Sequence, residues 1–184
     1  KRLAAPGTWW TGAERIAIAE EVRLAATCAL CRRRKAALSP CTVAGVHDTD
    51  GKLSVEAVEA IHRLTTDASR VTESWVRQTV DGPLGDARYI EIVSIVATVT
   101  ALDTFDRALG RPLRALPEPK GGDPARHRPR GARRDLAWVP TLAPEAVTDD
   151  DPNPYPIHGD KNIHRALSLV PQEVFNFFDL DVEL

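Results

Sequence analysis

The chain has 184 residues, of which 43% are hydrophobic and 27% are charged, and its formal net charge is −2. This is an ordinary globular composition, and it excludes the strong basicity that is typical of a nucleic-acid binder. No apolar run approaches the ~20 residues needed to span a bilayer, and the first residues lack the apolar core of a signal peptide. We therefore expect a cytoplasmic protein with one domain, or with one domain and an extension.

Residues 11–38 predict one long helix. Thr11 is followed three residues later by Glu14, which is the spacing of a capping box, and the pair Ser39-Pro40 supplies a stop. Most of the residues between these marks are Ala, Leu, Ile, Val, Glu and Arg, which favour a helix.

Two cysteines, Cys28 and Cys31, lie near the C-terminal end of this predicted helix. A spacing of three residues places both sulfur atoms on one face, so the two thiols can be oxidised together. A step of seven residues back from Cys28 gives Glu21, which adds a carboxylate to the same stripe. Because a helix C-terminus disfavours a thiolate, we expect a run of cations to offset that effect: Arg32, Arg33, Arg34 and Lys35.

Two other interpretations of the cysteines remain open. Free cysteines often pack as small hydrophobic residues, particularly in an Ala-rich helix. The string Cys-x2-Cys-x9-Cys-x5-His also offers four zinc ligands: Cys28, Cys31, Cys41 and His47. Structural zinc usually organises short loops rather than a long capped helix, so we favour a redox dithiol.

Two histidines follow the dithiol. His47 lies in a predicted loop and is either a surface residue or a proton carrier above the two sulfur atoms. Residues 54–66 predict a second helix with an apolar stripe, and His62 lies beside that stripe. His62 is either a half-buried structural histidine or part of a proton relay.

A second dominant helix is predicted over residues 86–109, because Gly110 and Pro112 follow as stop residues. Glu91 lies within this apolar helix, where a carboxylate without a partner is costly. It either faces the dithiol as an acid or base, or forms a salt bridge with Arg88 or with a neighbouring helix.

Composition divides the chain into three parts. Residues 1–116 form a helical dithiol domain, residues 117–160 form an extended Pro/Arg-rich arm or linker, and residues 161–184 form a C-terminal helical tail. An arm without a core of its own often wraps a neighbouring protomer, so we expect a homo-oligomer. The arginines of the arm are interpreted as solvated or paired charges, and no nucleic-acid or membrane partner is expected.

Two segments resemble a known family. The segment A-I-A-E-E-V-R-L-A-A-T-C-A-L-C is similar to the active-site helix of alkylhydroperoxidase-D-like, carboxymuconolactone-decarboxylase-like proteins. The later segment R-Y-I-E-I-V-S-I-V-A-T-V-T-A-L-D-T-F-D-R-A-L-G-R-P-L resembles the long helix that follows it in those proteins. The chain departs from the family pattern at Lys35, where a histidine is common, and at Ile16, where a glutamate is usual.

The resemblance implies an all-α bundle of the alkylhydroperoxidase-D-like type and a thiol-dependent peroxidase or related disulfide oxidoreductase without a cofactor. In the implied mechanism Cys31 attacks a peroxide, Cys28 closes a disulfide, and a thiol or dithiol reductant protein reopens it. The proton carriers are expected among Glu21, His47, His62 and Glu91. Two alternatives are a carboxymuconolactone-decarboxylase-like enzyme that does not use the cysteines and a non-catalytic helical oligomerisation protein, with zinc binding as an option for the latter.

Overall fold

A computed structural model describes residues 2–179, and within that range the protein is all-α, as the sequence predicts. The helices are α1 (Gly12–Ala25), α2 (Ala29–Ala36), α3 (Val55–Asp67), α4 (Glu73–Val80), α5 (Asp86–Ala108), α6 (Tyr155–His158), α7 (Asn162–Arg165) and α8 (Pro171–Phe178). Within this range, none of the helices combines the length and the apolarity needed to cross a lipid bilayer.

Side-chain caps fix the starts of three helices, and two of these starts, at Thr11 and Ser54, agree with the sequence prediction. Thr11 and Glu14 form a reciprocal capping box at α1, in which the Glu14 carboxylate accepts from the Thr11 backbone at 2.8 Å. Ser54 caps α3 and Thr72 caps α4, each by accepting from a backbone amide three residues ahead. Each such cap satisfies an orphan donor and is worth about 1 kcal/mol.

The core lies where α1, α3 and α5 pack against one another in pairs. Its large, fully buried side chains come from all three helices and include Ile18, Ile61, Ile92 and Ile95. Burying each of these side chains stabilises the fold by about 1.5–3 kcal/mol. The tail joins the same core, because Val174 of α8 is buried in it.

The arm between α5 and α6 has little regular structure and follows the N-terminal segment of its own chain. The backbone amide of Lys120 donates to the Ala4 carbonyl oxygen at 2.8 Å, and that of Arg126 donates to the Thr8 carbonyl oxygen at 2.8 Å. Gly12 fits between this segment and the arm because a Cβ there would collide with the carbonyl oxygens of both Ala4 and Lys120. The expected contact between the arm and a second protomer stays a prediction.

Candidate functional site

The predicted helix over residues 11–38 is wrong in one respect, because it is broken before the first cysteine. The Thr27 hydroxyl and the Thr27 amide both bond back to the Leu24 carbonyl oxygen, which tightens the last turn of α1. Cys28 then takes an extended conformation, with φ −60° and ψ 126°. The carboxylate of Asp48 accepts from the Ala29 backbone amide at 2.8 Å and satisfies a free donor of the next helix.

This break reverses the electrostatic prediction for the dithiol. Cys28 is the cap residue of α2 and Cys31 lies in its first turn, so both sulfur atoms are at a helix N-terminus rather than at a C-terminus. The partial positive charge there favours an anion. A thiolate is therefore stabilised by the helix itself, in addition to any nearby cation.

A buried chain of hydrogen bonds leads from Cys31 to a carboxylate on α1. The Cys31 Sγ atom lies 3.2 Å from His62 Nδ1, and His62 Nε2 lies 2.7 Å from Glu21 Oε1. The other Glu21 oxygen accepts from the Thr49 hydroxyl at 2.9 Å. His62 and Glu21 are fully buried, so the carboxylate fixes the orientation of the imidazole ring.

His47 provides a second, parallel chain from the loop between α2 and α3. Its Nδ1 atom lies 3.5 Å from both the Cys28 and the Cys31 sulfur atoms. Its Nε2 atom lies 2.9 Å from a Glu59 oxygen, and the guanidinium of Arg34 donates to both oxygens of that carboxylate at 2.8 Å. Each histidine therefore directs one ring nitrogen at sulfur and the other at a carboxylate.

The pKa values around Cys28 reflect these contacts. Burial raises the pKa of the Cys28 thiol, but interactions with the Cys31 backbone amide and with His47 outweigh it, and the net pKa is lowered. Burial opposes the charged form of His47, yet the two sulfur atoms and Glu59 raise its pKa to about 10. Despite its partial burial, Glu59 has its pKa lowered to about 2 by His47 and Arg34. At neutral pH His47 is a cation held between the sulfur atoms and a carboxylate.

The pKa of His62, unlike that of His47, is lowered. Burial is the largest influence and lowers the pKa of His62, and the positive charge of His47 acts in the same direction against the carboxylate of Glu21. The ring of His62 is therefore neutral at neutral pH. The site combines a cationic imidazole with a neutral one, and the neutral ring can accept a proton from the Cys31 thiol.

Solvent reaches this cluster through a cavity of about 400 Å³. Cys31 forms part of its wall, although the residue as a whole is only 4% exposed. The other lining residues include small apolar residues in and just after α1, several cations and one carboxylate: Val22, Ala25, Ala26, Arg23, Arg32, Lys35, Arg107 and Asp103. A small molecule in this cavity would lie beside Cys31, and His62 is fully buried.

Two residues that the sequence suggested for sites lie elsewhere. Glu91 forms a buried salt bridge with Arg15 on α1 and accepts from the Trp9 backbone amide at 2.7 Å. The structure thus gives it the alternative role, that of a partner for a neighbouring helix. Cys41 is exposed, and its sulfur atom faces Arg63 at 3.9 Å rather than the other two cysteines.

The structure brings together the remaining candidates: Glu21, Cys28, Cys31, His47 and His62. Sequence reasoning missed Glu59 and Asp48, which orient His47 and cap α2. The available signal for Glu59 is that it precedes His62 by one helical turn, a spacing that places an acid on the same side of α3. The role of Asp48 has no local sequence signal, because its partner Ala29 is distant along the chain.

Four atoms of this cluster are also potential metal ligands. The sulfur atoms of Cys28 and Cys31 and one ring nitrogen each of His47 and His62 all lie within 4.8 Å of one another. Comparison of the chain with protein families, curated proteins and solved structures returns no match.

Proposed function

We propose that the protein is a thiol-dependent peroxidase or related disulfide oxidoreductase that uses Cys28 and Cys31. The observation that carries the proposal is the hydrogen-bonded line from the Cys31 sulfur through His62 to Glu21. A nucleophile, a base in contact with it and a carboxylate that orients the base are the parts by which proteins activate a thiol. The alkylhydroperoxidase-D-like bundle and a cytoplasmic location, where thiols are kept reduced, belong to the same proposal.

In the first step the neutral His62 ring takes the proton of the Cys31 thiol. The Cys31 thiolate attacks the terminal oxygen of a hydroperoxide, a sulfur–oxygen bond forms, and the oxygen–oxygen bond breaks. Sulfur loses two electrons, and the leaving alkoxide takes the proton from His62 and departs as an alcohol. Cys31 is then a sulfenic acid.

In the second step Cys28, as a thiolate paired with the protonated His47, attacks the sulfur atom of the sulfenic acid. The disulfide bond forms, the sulfur–oxygen bond breaks, and the departing hydroxide takes a proton from His47 to leave as water. His47 is suited to this step because one ring nitrogen is 3.5 Å from both sulfur atoms. An external dithiol then returns two electrons and two protons, so the proposed partners are a hydroperoxide and a thiol or dithiol reductant.

The arrangement also argues against the rival in which the cysteines are bystanders. Two carboxylates reach the sulfur atoms through the two histidines: Glu21 through His62, and Glu59 through His47. An enzyme that left the cysteines unused would have no need to direct both imidazole rings at them. The expected homo-oligomer stays a prediction.

Thiol counting tests the proposal. Reduced protein, freed of metal with a chelator, is mixed with tert-butyl hydroperoxide in the absence of oxygen, and free thiols are counted over time. We expect two thiols per chain to be lost, with Cys41 remaining, and we expect Cys31→Ser to abolish the loss. In Cys28→Ser the sulfenic acid should persist and react with dimedone.

The matched control is Cys41→Ser, because Cys41 is exposed and lies outside the cluster. This variant should lose two thiols at the wild-type rate. If Cys28 and Cys31 react with the peroxide no faster than the thiols of the urea-unfolded chain, the folded site does not activate them and the proposal fails.

A further inference from the structure

Three of the six ligand–ligand distances within the cluster are close to those of a tetrahedral zinc site. With a zinc–sulfur bond of about 2.3 Å and a zinc–nitrogen bond of about 2.0–2.1 Å, a tetrahedral angle separates sulfur from nitrogen by about 3.5–3.6 Å. The structure has Cys28 Sγ and Cys31 Sγ each at 3.5 Å from His47 Nδ1, and Cys31 Sγ at 3.2 Å from His62 Nδ1. Three edges of the tetrahedron therefore already have nearly the required length.

The carboxylates that contact the second ring nitrogen of each histidine are also typical of a metal site. A histidine that binds a metal through one nitrogen usually donates its other N–H to a carboxylate, which fixes the tautomer and the ring orientation. Both histidines have this partner: His62 Nε2 is 2.7 Å from Glu21 and His47 Nε2 is 2.9 Å from Glu59. Arg34 holds the Glu59 carboxylate in place through both of its oxygens.

We propose that Cys28, Cys31, His47 and His62 bind Zn²⁺ as a four-coordinate Cys2His2 site. Two thiolates and two imidazoles are soft or borderline ligands, which select zinc over magnesium or calcium. The two cysteines come from the start of α2, His62 comes from α3, and His47 comes from a stretch between them that has no helix or strand. The ion would therefore join three segments of the chain at one point.

This ligand set differs from the one suggested by spacing alone. Cys41, the third cysteine of the Cys-x2-Cys-x9-Cys-x5-His string, is exposed and points toward Arg63. His62 takes the fourth position instead, because α3 carries its ring to within 3.2 Å of the Cys31 sulfur. If His62 is the fourth ligand, its mutation should abolish zinc binding and mutation of Cys41 should not. If Cys41 is the fourth ligand, the reverse is expected.

The two thiolates cannot bind zinc and form a disulfide at the same time. The role of zinc in the oxidation rests on the proposed peroxidase function. A bound ion occupies the lone pairs of both thiolates, so it slows their attack on a peroxide. When a hydroperoxide does oxidise the pair, two thiolates, one hydroperoxide and two protons give one disulfide, one alcohol, one water and a released zinc ion. The metal would thus hold the dithiol in a protected, reduced form.

Metal titration of the reduced, metal-free protein tests the site without any peroxide. We expect wild-type protein to bind about one zinc or cobalt(II) ion per chain. Cobalt(II) should give the intense visible absorption of tetrahedral coordination and a thiolate charge-transfer band, and X-ray absorption of the zinc form should show two sulfur and two nitrogen neighbours. Absence of stoichiometric binding, or a coordination shell without sulfur, would overturn the proposal.

The variants separate the two ligand sets. We expect His62→Ala to lose the tetrahedral cobalt spectrum, Glu59→Gln to weaken zinc binding by ~10- to 100-fold, and Cys41→Ser to match wild type. Wild-type zinc affinity in His62→Ala, or loss of binding in Cys41→Ser, would contradict the assignment. Circular dichroism checks that each variant is folded, and the wild-type coordination shell decides the question if a variant is not.

The two proposals fail in different ways. If metal-free protein loses two thiols to peroxide but takes up no zinc, the metal site is wrong and the peroxidase stands. If the protein binds zinc through two sulfur atoms but its metal-free form is inert to peroxide, the peroxidase is wrong and the metal site stands.

Discussion

Because Arg15 holds two carboxylates in the core, we expect the protein to lose stability as the pH rises from acid to neutral. Glu91 and Glu173 both bind the Nη1 atom of Arg15, and the three side chains are at most 3% exposed. Burial and the negative charge of Glu173 raise the pKa of Glu91 to about 7, although Arg15 and the Trp9 backbone amide act to lower it. One guanidinium does not fully compensate two buried carboxylates.

The magnitude follows from the difference between the folded and the unfolded chain. The ordinary pKa of the Glu91 carboxyl is 4.5, so between pH 4.5 and about 7 the folded protein binds a proton that the unfolded chain has lost. The free energy of unfolding therefore falls as the pH rises through this window and levels off above it. At about 1.4 kcal/mol for each pKa unit, the whole fall is about 3 kcal/mol.

The variant Glu173→Gln isolates this contribution. Its amide nitrogen can donate to the Ser94 hydroxyl, which lies 2.7 Å from one Glu173 oxygen, while its amide oxygen continues to accept from Arg15 at the position of the other. With the second charge removed, the pKa of Glu91 drops, so the fall in stability becomes smaller and moves to lower pH. Urea unfolding at a series of pH values measures the fall in both proteins, and NMR follows the Glu91 carboxyl directly. A Glu91 that titrates near 4.5, or stability profiles that run parallel in the two proteins, would refute the reasoning.

Two further predictions concern the neighbourhood of the sulfur atoms. His62→Gln should slow the oxidation of Cys31 by a hydroperoxide by ~10²- to 10⁴-fold because the base is lost, and a stopped-flow record of thiol decay showing the wild-type rate would contradict its role. Asp48→Ala should lower the free energy of unfolding by about 1 kcal/mol because Ala29 loses its cap. Asp50→Ala, which removes a surface ion pair from the same loop, is the control and should cost less than Asp48→Ala in the same urea titration.

The helices were largely predictable because their boundary signals are local. Thr11 and Ser54 cap helices that the sequence predicts to begin there, and Gly110, at φ 64°, follows the end of α5. The break before Cys28 was not predictable, because Ala, Thr and Cys do not interrupt a helix by themselves. At this break, α2 is capped by the carboxylate of Asp48, which the fold brings from a loop 19 residues away.

The sequence predicts which residues form the candidate site better than it predicts how they are arranged. Histidines and acids near a dithiol were chosen for their chemistry, and Glu21, His47 and His62 do reach the sulfur atoms, directly or through one another. Glu91 is a carboxylate like Glu21, but its position on α5 directs it to Arg15 instead. Which of these acids and histidines contact the sulfur atoms depends on how α1, α3 and α5 pack against each other, and no local sequence pattern encodes that packing.

The short helix that carries both sulfur atoms is anchored apart from the main core. Leu30 packs with the two cysteines and Val43 in a small apolar cluster of its own, and the guanidinium of Arg70 holds the other end of α2 by donating to the Ala37 carbonyl oxygen at 2.7 Å. An element with so few apolar anchors opens at a lower free energy than the helices of the central bundle. We therefore expect α2 to open while α1, α3 and α5 stay folded, and this opening would uncover both sulfur atoms.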